Sequence, residues 1–208
     1  MRHDKEKVKQ ELKQGMQALG FNDNALLEQF YAYLLLLEKW NKVYNLTAVR
    51  DIQSMVSLHI IDSLSVLPLV KGQKILDIGT GAGLPAVIWA LARPDLDITA
   101  LDSKNKKIRF ITQVVLELKI NNVHPICERI EKLNPDCLFD CIVSRAYTDL
   151  LCFYQQSQKH LYKKGKILAM KGQFPDIELK KLTQANIKHQ IQPLDVPLLN
   201  AKRHVIVM

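Results

Sequence analysis

Apolar residues return every three or four positions at the start of this chain: Val8, Leu12, Met16 and Leu19, then, past Asn22-Asp23-Asn24, Leu26, Phe30, Leu34 and Leu37. That period sets the apolar side chains on one face of a helix. The Asn and Asp side chains between the two runs supply oxygen acceptors for the free N–H groups of a helix start. A third helix is expected from Asp51 to about Val66, ending before Pro68, whose ring disfavours a helical residue ahead of it. After Lys71-Gly72 the pattern changes to short apolar runs alternating with helical ones. Residues 74–78 read as a strand and 84–91 as a helix with Pro85 in its first turn. Further strands are expected at 97–101, 123–127, 139–143 and 166–170, with a helix over 104–118 and a weaker pair of strands near 188–192 and 204–207.

Alternation of this kind predicts an α/β fold of Rossmann-like type, with a mostly parallel, doubly wound sheet carrying helices on both faces. The expected division is an N-terminal helical segment, residues 1–72, packed on a domain formed by residues 73–208. In such sheets ligands lie beyond the carboxyl ends of the strands, where the strand order reverses. The residues to inspect are therefore Gly79 to Gly83, Asp102 and Ser103, Glu128 to Glu131, Ser144 and Arg145, and Lys171 and Gly172.

The 208 residues, 48% hydrophobic and 24% charged, suit one well-buried domain with an appended segment. No stretch is expected to span a membrane, and the charged N-terminus is unlike a secretory signal, so a cytoplasmic location is expected. Cys127, Cys137, Cys141 and Cys152 form no C-x-x-C pair and no metal-like pattern with the histidines, which predicts reduced core cysteines and no metal. Net charge is +8, and from Lys159 onward ten Lys or Arg face only three acids, so most of the excess is C-terminal. Clustered cations of this sort gain affinity for RNA by releasing condensed counterions, although basic surfaces also occur on proteins that bind no nucleic acid. The sequence assigns no oligomeric state.

The chemistry concentrates in Asp77-Ile78-Gly79-Thr80-Gly81-Ala82-Gly83-Leu84-Pro85. Strand, glycine turn and helix start make a nucleotide cradle, because glycines let the backbone turn tightly and a ligand approach the peptide groups. The spacing is G-x-G-x-G, whereas a dinucleotide fingerprint is G-x-G-x-x-G. Asp102, at the end of the next strand, is placed to accept from ribose hydroxyls. Asp77 on the first strand would repel phosphates and attract a cation. The two carboxylates therefore favour S-adenosyl-L-methionine, which has an ammonium, a sulfonium and no phosphate, over NAD.

Several segments together resemble the bacterial RsmG (formerly GidB) methyltransferases. They are Trp40-Asn41-Lys42-Val43-Tyr44-Asn45-Leu46-Thr47-Ala48, His59-Ile60-Ile61-Asp62-Ser63-Leu64, the glycine run, Leu101-Asp102-Ser103 with Lys106-Lys107 and Arg109-Phe110, Ser144-Arg145-Ala146 and Ala169-Met170-Lys171-Gly172. The likeness spans nearly the whole chain. It implies methyl transfer from S-adenosyl-L-methionine to N7 of a guanine in 16S ribosomal RNA, with that RNA or the small ribosomal subunit as partner. Methylation of a small molecule or a protein, and RNA binding without activity, are the alternatives.

By the same likeness Gly79, Leu84, Ile130, Glu131 and Arg145 line the cofactor site, with Glu128 competing with Glu131 for its place. The residue reading adds Asp77, Gly81, Gly83 and Asp102. No catalytic base is expected. Lys106, Lys107 and Arg109 are either a solvated helix face or phosphate contacts, and Lys171 and Arg203 are candidate RNA-facing cations. Trp40, Asn41 and Asn45 are read first as a helix end, and His59 and Asp62 as a local hydrogen-bonding pair on one helix face.

Overall fold

The computed structural model describes residues 4–134, 136 and 138–208, so the reading of Cys137 lies outside the described residues. Two helices open the chain, α1 (Lys5–Ala18) and α2 (Asn24–Tyr44). Asp4 and Asp23 cap them, each carboxylate accepting from backbone N–H groups of the first turn. Asp51 caps the third helical run in the same way. That run is not one regular helix: α3 (Ile52–Met55) passes into a π-helical turn (Val56–Ile61), then α4 (Asp62–Val66) and a 3₁₀ turn (Leu67–Leu69). A widened π turn carries no sequence periodicity that would announce it, and such turns occur often at functional sites. Ile52–Leu69 is also, by length and composition, apolar enough to cross a membrane. Here its apolar side chains are core: Ile52, Met55, Val56, Ile60, Ile61 and Leu64 are all buried.

The sheet has seven strands in the order β3-β2-β1-β4-β5-β7-β6. They are β1 (Lys74–Ile78), β2 (Asp97–Asp102), β3 (Val123–Cys127), β4 (Phe139–Arg145), β5 (Leu161–Lys171), β6 (Gln190–Leu194) and β7 (Arg203–Val207). β1 to β5 pair in parallel, and β7 runs antiparallel to both β5 and β6. The expected mostly parallel α/β sheet is therefore present. β5 starts five residues earlier than its apolar stretch, since Leu161 pairs with Phe139 before an irregularity in register, after which Lys166 pairs with Cys141. The switch of direction lies between β1 and β4, the two central strands that lead toward opposite edges.

Helices α5 (Ala86–Ala92), α6 (Asn105–Glu117), α7 (Leu150–Ser157) and α8 (Asp176–Gln184) complete the layers. Pro85 precedes α5 as its N-cap instead of occupying its first turn. One hydrophobic core joins α1, α2 and the run after Asp51 to α5, α6 and one face of the sheet, with Phe30, Tyr33, Trp89 and Phe110 fully buried. A smaller core under α7 and α8 covers the other face. Buried hydrogen bonds help stitch the N-terminal helices to the sheet domain, among them Tyr33 hydroxyl to the Ala82 carbonyl at 2.8 Å and Trp89 Nε1 to the Ser63 carbonyl at 2.7 Å. Cys127, Cys141 and Cys152 are free thiols, and no group of His, Cys, Asp and Glu among the described residues is placed to hold a metal.

Candidate active site

A cavity of about 330 Å³ opens at the carboxyl ends of β1, β2, β3 and β4. Gly79, Asp102, Ser103, Lys104, Lys107, Glu128, Arg129, Ile130, Glu131, Ala146 and Tyr147 contribute to its wall. Of the sequence candidates, Gly79, Asp102, Ile130 and Glu131 thus meet in one place, and Glu128 is there too. Gly79 has φ +69°, and a Cβ on it would lie 2.7 Å from the Tyr147 ring, so only glycine fits between that ring and the turn.

The rest of the glycine run shapes the cavity from behind. Gly81 donates its N–H to Asp102 Oδ2 at 3.1 Å. Gly83 lets α5 close on the turn, since a Cβ there would sit 2.5 Å from Val87, and Leu84 is buried in the core. None of these three is on the cavity wall: Gly83 and Leu84 face α5 and the core, and Gly81 sits beside Asp102 and Lys107.

Asp77 is fully buried and also lies off the cavity wall. Its Oδ2 accepts from Thr80 Oγ1 at 2.7 Å and from the Ala86 N–H at 3.2 Å, while Oδ1 has no hydrogen-bond partner among the described residues. Burial pushes its carboxyl up to about 7, against the lowering effect of those two donors. A buried acceptor left open in this way suits a cationic or hydrogen-bonding ligand group. Asp102 is the opposite case, its carboxylate accepting from Gly81 N–H, Lys104 N–H and Lys107 Nζ. Lys107, read from sequence as an RNA contact, therefore stands at the mouth of this cavity. The wall also holds Lys104 and Arg129. Of the two carboxylates expected from sequence to flank the hollow, only Asp102 is on its wall, beside Lys104, Lys107 and Arg129, so charge alone does not select the ligand.

A second cavity of about 320 Å³ adjoins the first, Ala146 lining both. Ala146 has φ +55°, an uncommon conformation for a residue with a Cβ, and it turns the chain over the ridge between the two hollows. Arg145 lines the second cavity and not the first. Its Nη1 donates to the Leu58 carbonyl at 2.9 Å and lies 3.6 Å from Asp62 Oδ2. Arg203 Nε donates to the other Asp62 oxygen at 3.1 Å, so one buried carboxylate aligns two arginines from β4 and β7. Burial raises the Asp62 carboxyl and the two arginines oppose the rise. His59 and Asp62 do not pair with each other, as their spacing suggested; the π turn sends both to Arg145.

Lys171 also lines the second cavity, with Nζ 2.8 Å from Glu178 Oε2. Lys106 instead donates to the Tyr44 carbonyl at 2.8 Å, tying α6 to the end of α2, and Arg109 is exposed on α6. Tyr147 was not legible as a site residue: nothing in Arg145-Ala146-Tyr147 marks the ring that closes over Gly79. Asn41 ends no helix: Asn45 caps α2 in the left-handed conformation, and Asn41, buried within the helix, holds the following loop through Thr47 N–H and the Val49 carbonyl.

The family model described as rRNA small subunit methyltransferase G (GidB) matches residues 26–206. The chain belongs to this family. A protein of that name from Laribacter hongkongensis is 43% identical over 200 residues, 96% of this chain and 97% of the relative. Another from Methylobacillus flagellatus is 43% identical over 202 residues, 97% of this chain and 98% of the relative. Among solved structures, a SAM dependent methyltransferase from Aquifex aeolicus superposes with a TM-score of 0.56 at 19% identity, over 74% of this chain and 92% of the other, a likeness of fold. The expected family, enzyme class and cofactor all agree with this membership.

Proposed function

We propose that this protein transfers a methyl group from S-adenosyl-L-methionine to N7 of a guanine in 16S ribosomal RNA, acting in the cytoplasm on that RNA or on the small ribosomal subunit. The observation that carries the reading is the pair of hollows meeting at Ala146: one built from the glycine turn and Asp102, the other edged by Arg145, Lys171 and Arg203. The family membership supports the same substrate class.

In this reading Gly79, Asp102, Ile130 and Glu131 hold the cofactor, and Asp77 offers its open oxygen from behind the turn. Gly81, Gly83 and Leu84 set the turn's shape. Asp102 receives ribose hydroxyls as Lys107 swings aside, and Ile130 offers an apolar surface to a base. When bound, S-adenosyl-L-methionine supplies an electrophilic methyl on a sulfonium. Guanine N7 carries an in-plane lone pair, so no side chain needs to remove a proton before attack. The protein's contribution is to align the reacting atoms and exclude water. The methylated base gains positive charge, which places Arg145 and Arg203 at phosphate or at the O6 edge and away from N7. N7 lies in the deep, narrow major groove of an RNA duplex, so the acceptor nucleotide enters unpaired.

Incubation with labelled cofactor and either protein-free ribosomal RNA or small subunits tests this reading. Label in 16S ribosomal RNA with one of the two is expected. Turnover with small molecules or proteins alone, or RNA binding without transfer, would refute it.

A further inference from the structure

Nη1 of Arg145 meets three acceptors from the N-terminal segment: the Leu58 carbonyl, Asp62, and His59 Nδ1 at 3.4 Å. Its Nε and Nη2 have no hydrogen-bond partner among the described residues, so they are free to bind a ligand. A guanidinium can only donate, so the ring nitrogen facing it carries a lone pair. The ring proton then belongs to Nε2, which lies 3.0 Å from Thr47 Oγ1. Thr47 is fixed in turn, its N–H donating to Asn41 Oδ1 and its hydroxyl accepting from the Val49 N–H. Burial first, and then the charge on Arg145, lower the His59 ring to about 4 and hold it neutral, against a hydrogen bond to the Leu58 backbone that raises it.

We propose that His59 is a positioning residue: its Nδ1 lone pair, set by Thr47, holds Arg145 in the acceptor cavity with Nε and Nη2 turned to the incoming nucleotide. The inference rests on the reading of the second cavity as the acceptor site. It gives the Asn41, Thr47 and His59 segments, which precede the sheet domain, a part in methyl transfer that does not touch the cofactor. It also accounts for the π turn, which brings Leu58, His59 and Asp62 to bear on one guanidinium.

Two substitutions separate the arms of the ring. In His59→Asn the amide oxygen can stand near the Nδ1 position, whereas the longer amide of His59→Gln reaches the Nε2 position and leaves Arg145 without that acceptor. With small subunits as substrate, kcat is expected to stay within about threefold in the Asn variant and to fall at least about tenfold in the Gln variant, as for a lost charge-assisted hydrogen bond. Cofactor affinity by calorimetry stays unchanged in both. Equal kcat in the two variants, or a parallel fall in cofactor affinity, would overturn the proposal.

Nitrogen-15 NMR of His59 in the wild-type protein supplies a reading that needs neither variant to fold. A bare Nδ1 and a protonated Nε2 between about pH 6 and pH 8 are expected. A ring protonated on Nδ1, donating to the Leu58 carbonyl, would overturn the proposal even if RNA methylation were intact. A wild-type protein inactive on RNA would instead refute the functional reading, leaving the tautomer to be judged by its own spectrum.

Discussion

Tyr33 donates its hydroxyl to the Ala82 carbonyl at 2.8 Å, fastening the middle of α2 to the glycine turn in the core of the protein. Replacing Tyr33 with Phe leaves a buried carbonyl without its donor, at a cost of about 1–3 kcal/mol in folding stability. Urea denaturation should register that loss. Calorimetry should record weaker cofactor binding as well, because the turn that carries Gly79 loses its brace from the N-terminal helices.

Asp102 is held by two backbone donors and by Lys107. Asp102→Ala is expected to weaken cofactor binding by about 1–3 kcal/mol, the range for charge-assisted hydrogen bonds. Lys107→Met removes the competitor for that carboxylate, so cofactor affinity should hold or rise. A marked fall in the Lys107 variant would show the ammonium to be a cofactor contact in its own right.

Asp77 and His59 give opposite pH dependences. The Asp77 carboxyl rises from its ordinary 3.8 to about 7 in the folded protein, so its contribution to stability is complete below 3.8 and is lost as pH rises through 7. The His59 ring falls from 6.5 to about 4, so its contribution is present above 6.5 and is lost as pH falls through 4. The two slopes largely offset each other in the wild-type protein between pH 4 and pH 6.5. Asp77→Asn should therefore expose a stability that increases with pH across this window, and His59→Asn one that decreases. Denaturation midpoints at several pH values check both signs.

Lys171 is paired with Glu178 but keeps its place on the second cavity. Lys171→Ala should lower activity on RNA and shallow its salt dependence by about one unit of slope, with cofactor affinity unchanged. Collapse of cofactor affinity would put Lys171 in the other hollow.

The periodic features of the fold were legible because one period governs each element. β1 and β3 have the expected bounds, and the caps at Asp23 and Asp51 follow from their side chains. The π turn was hidden, since it changes helix phase without changing composition. In the site, Gly79, Asp102, Ile130 and Glu131 could be gathered from strand ends alone. Sequence did not show that Lys107 lines the first hollow and Arg145 the second. Lys107 turns from the first turn of α6 back to the nearby Asp102, whereas which way Arg145 leaves the end of β4 depends on a partner far away in sequence, Asp62. The same holds for Arg203, whose companion lies 141 residues earlier.

The proposed product is 16S ribosomal RNA methylated at N7 of one guanine. Mapping the labelled nucleotide after reaction with small subunits, and identifying the released nucleoside by its mass and fragmentation, tests it most directly. A single site yielding 7-methylguanosine is the predicted result. Label at another atom, at scattered positions or only in protein would contradict it.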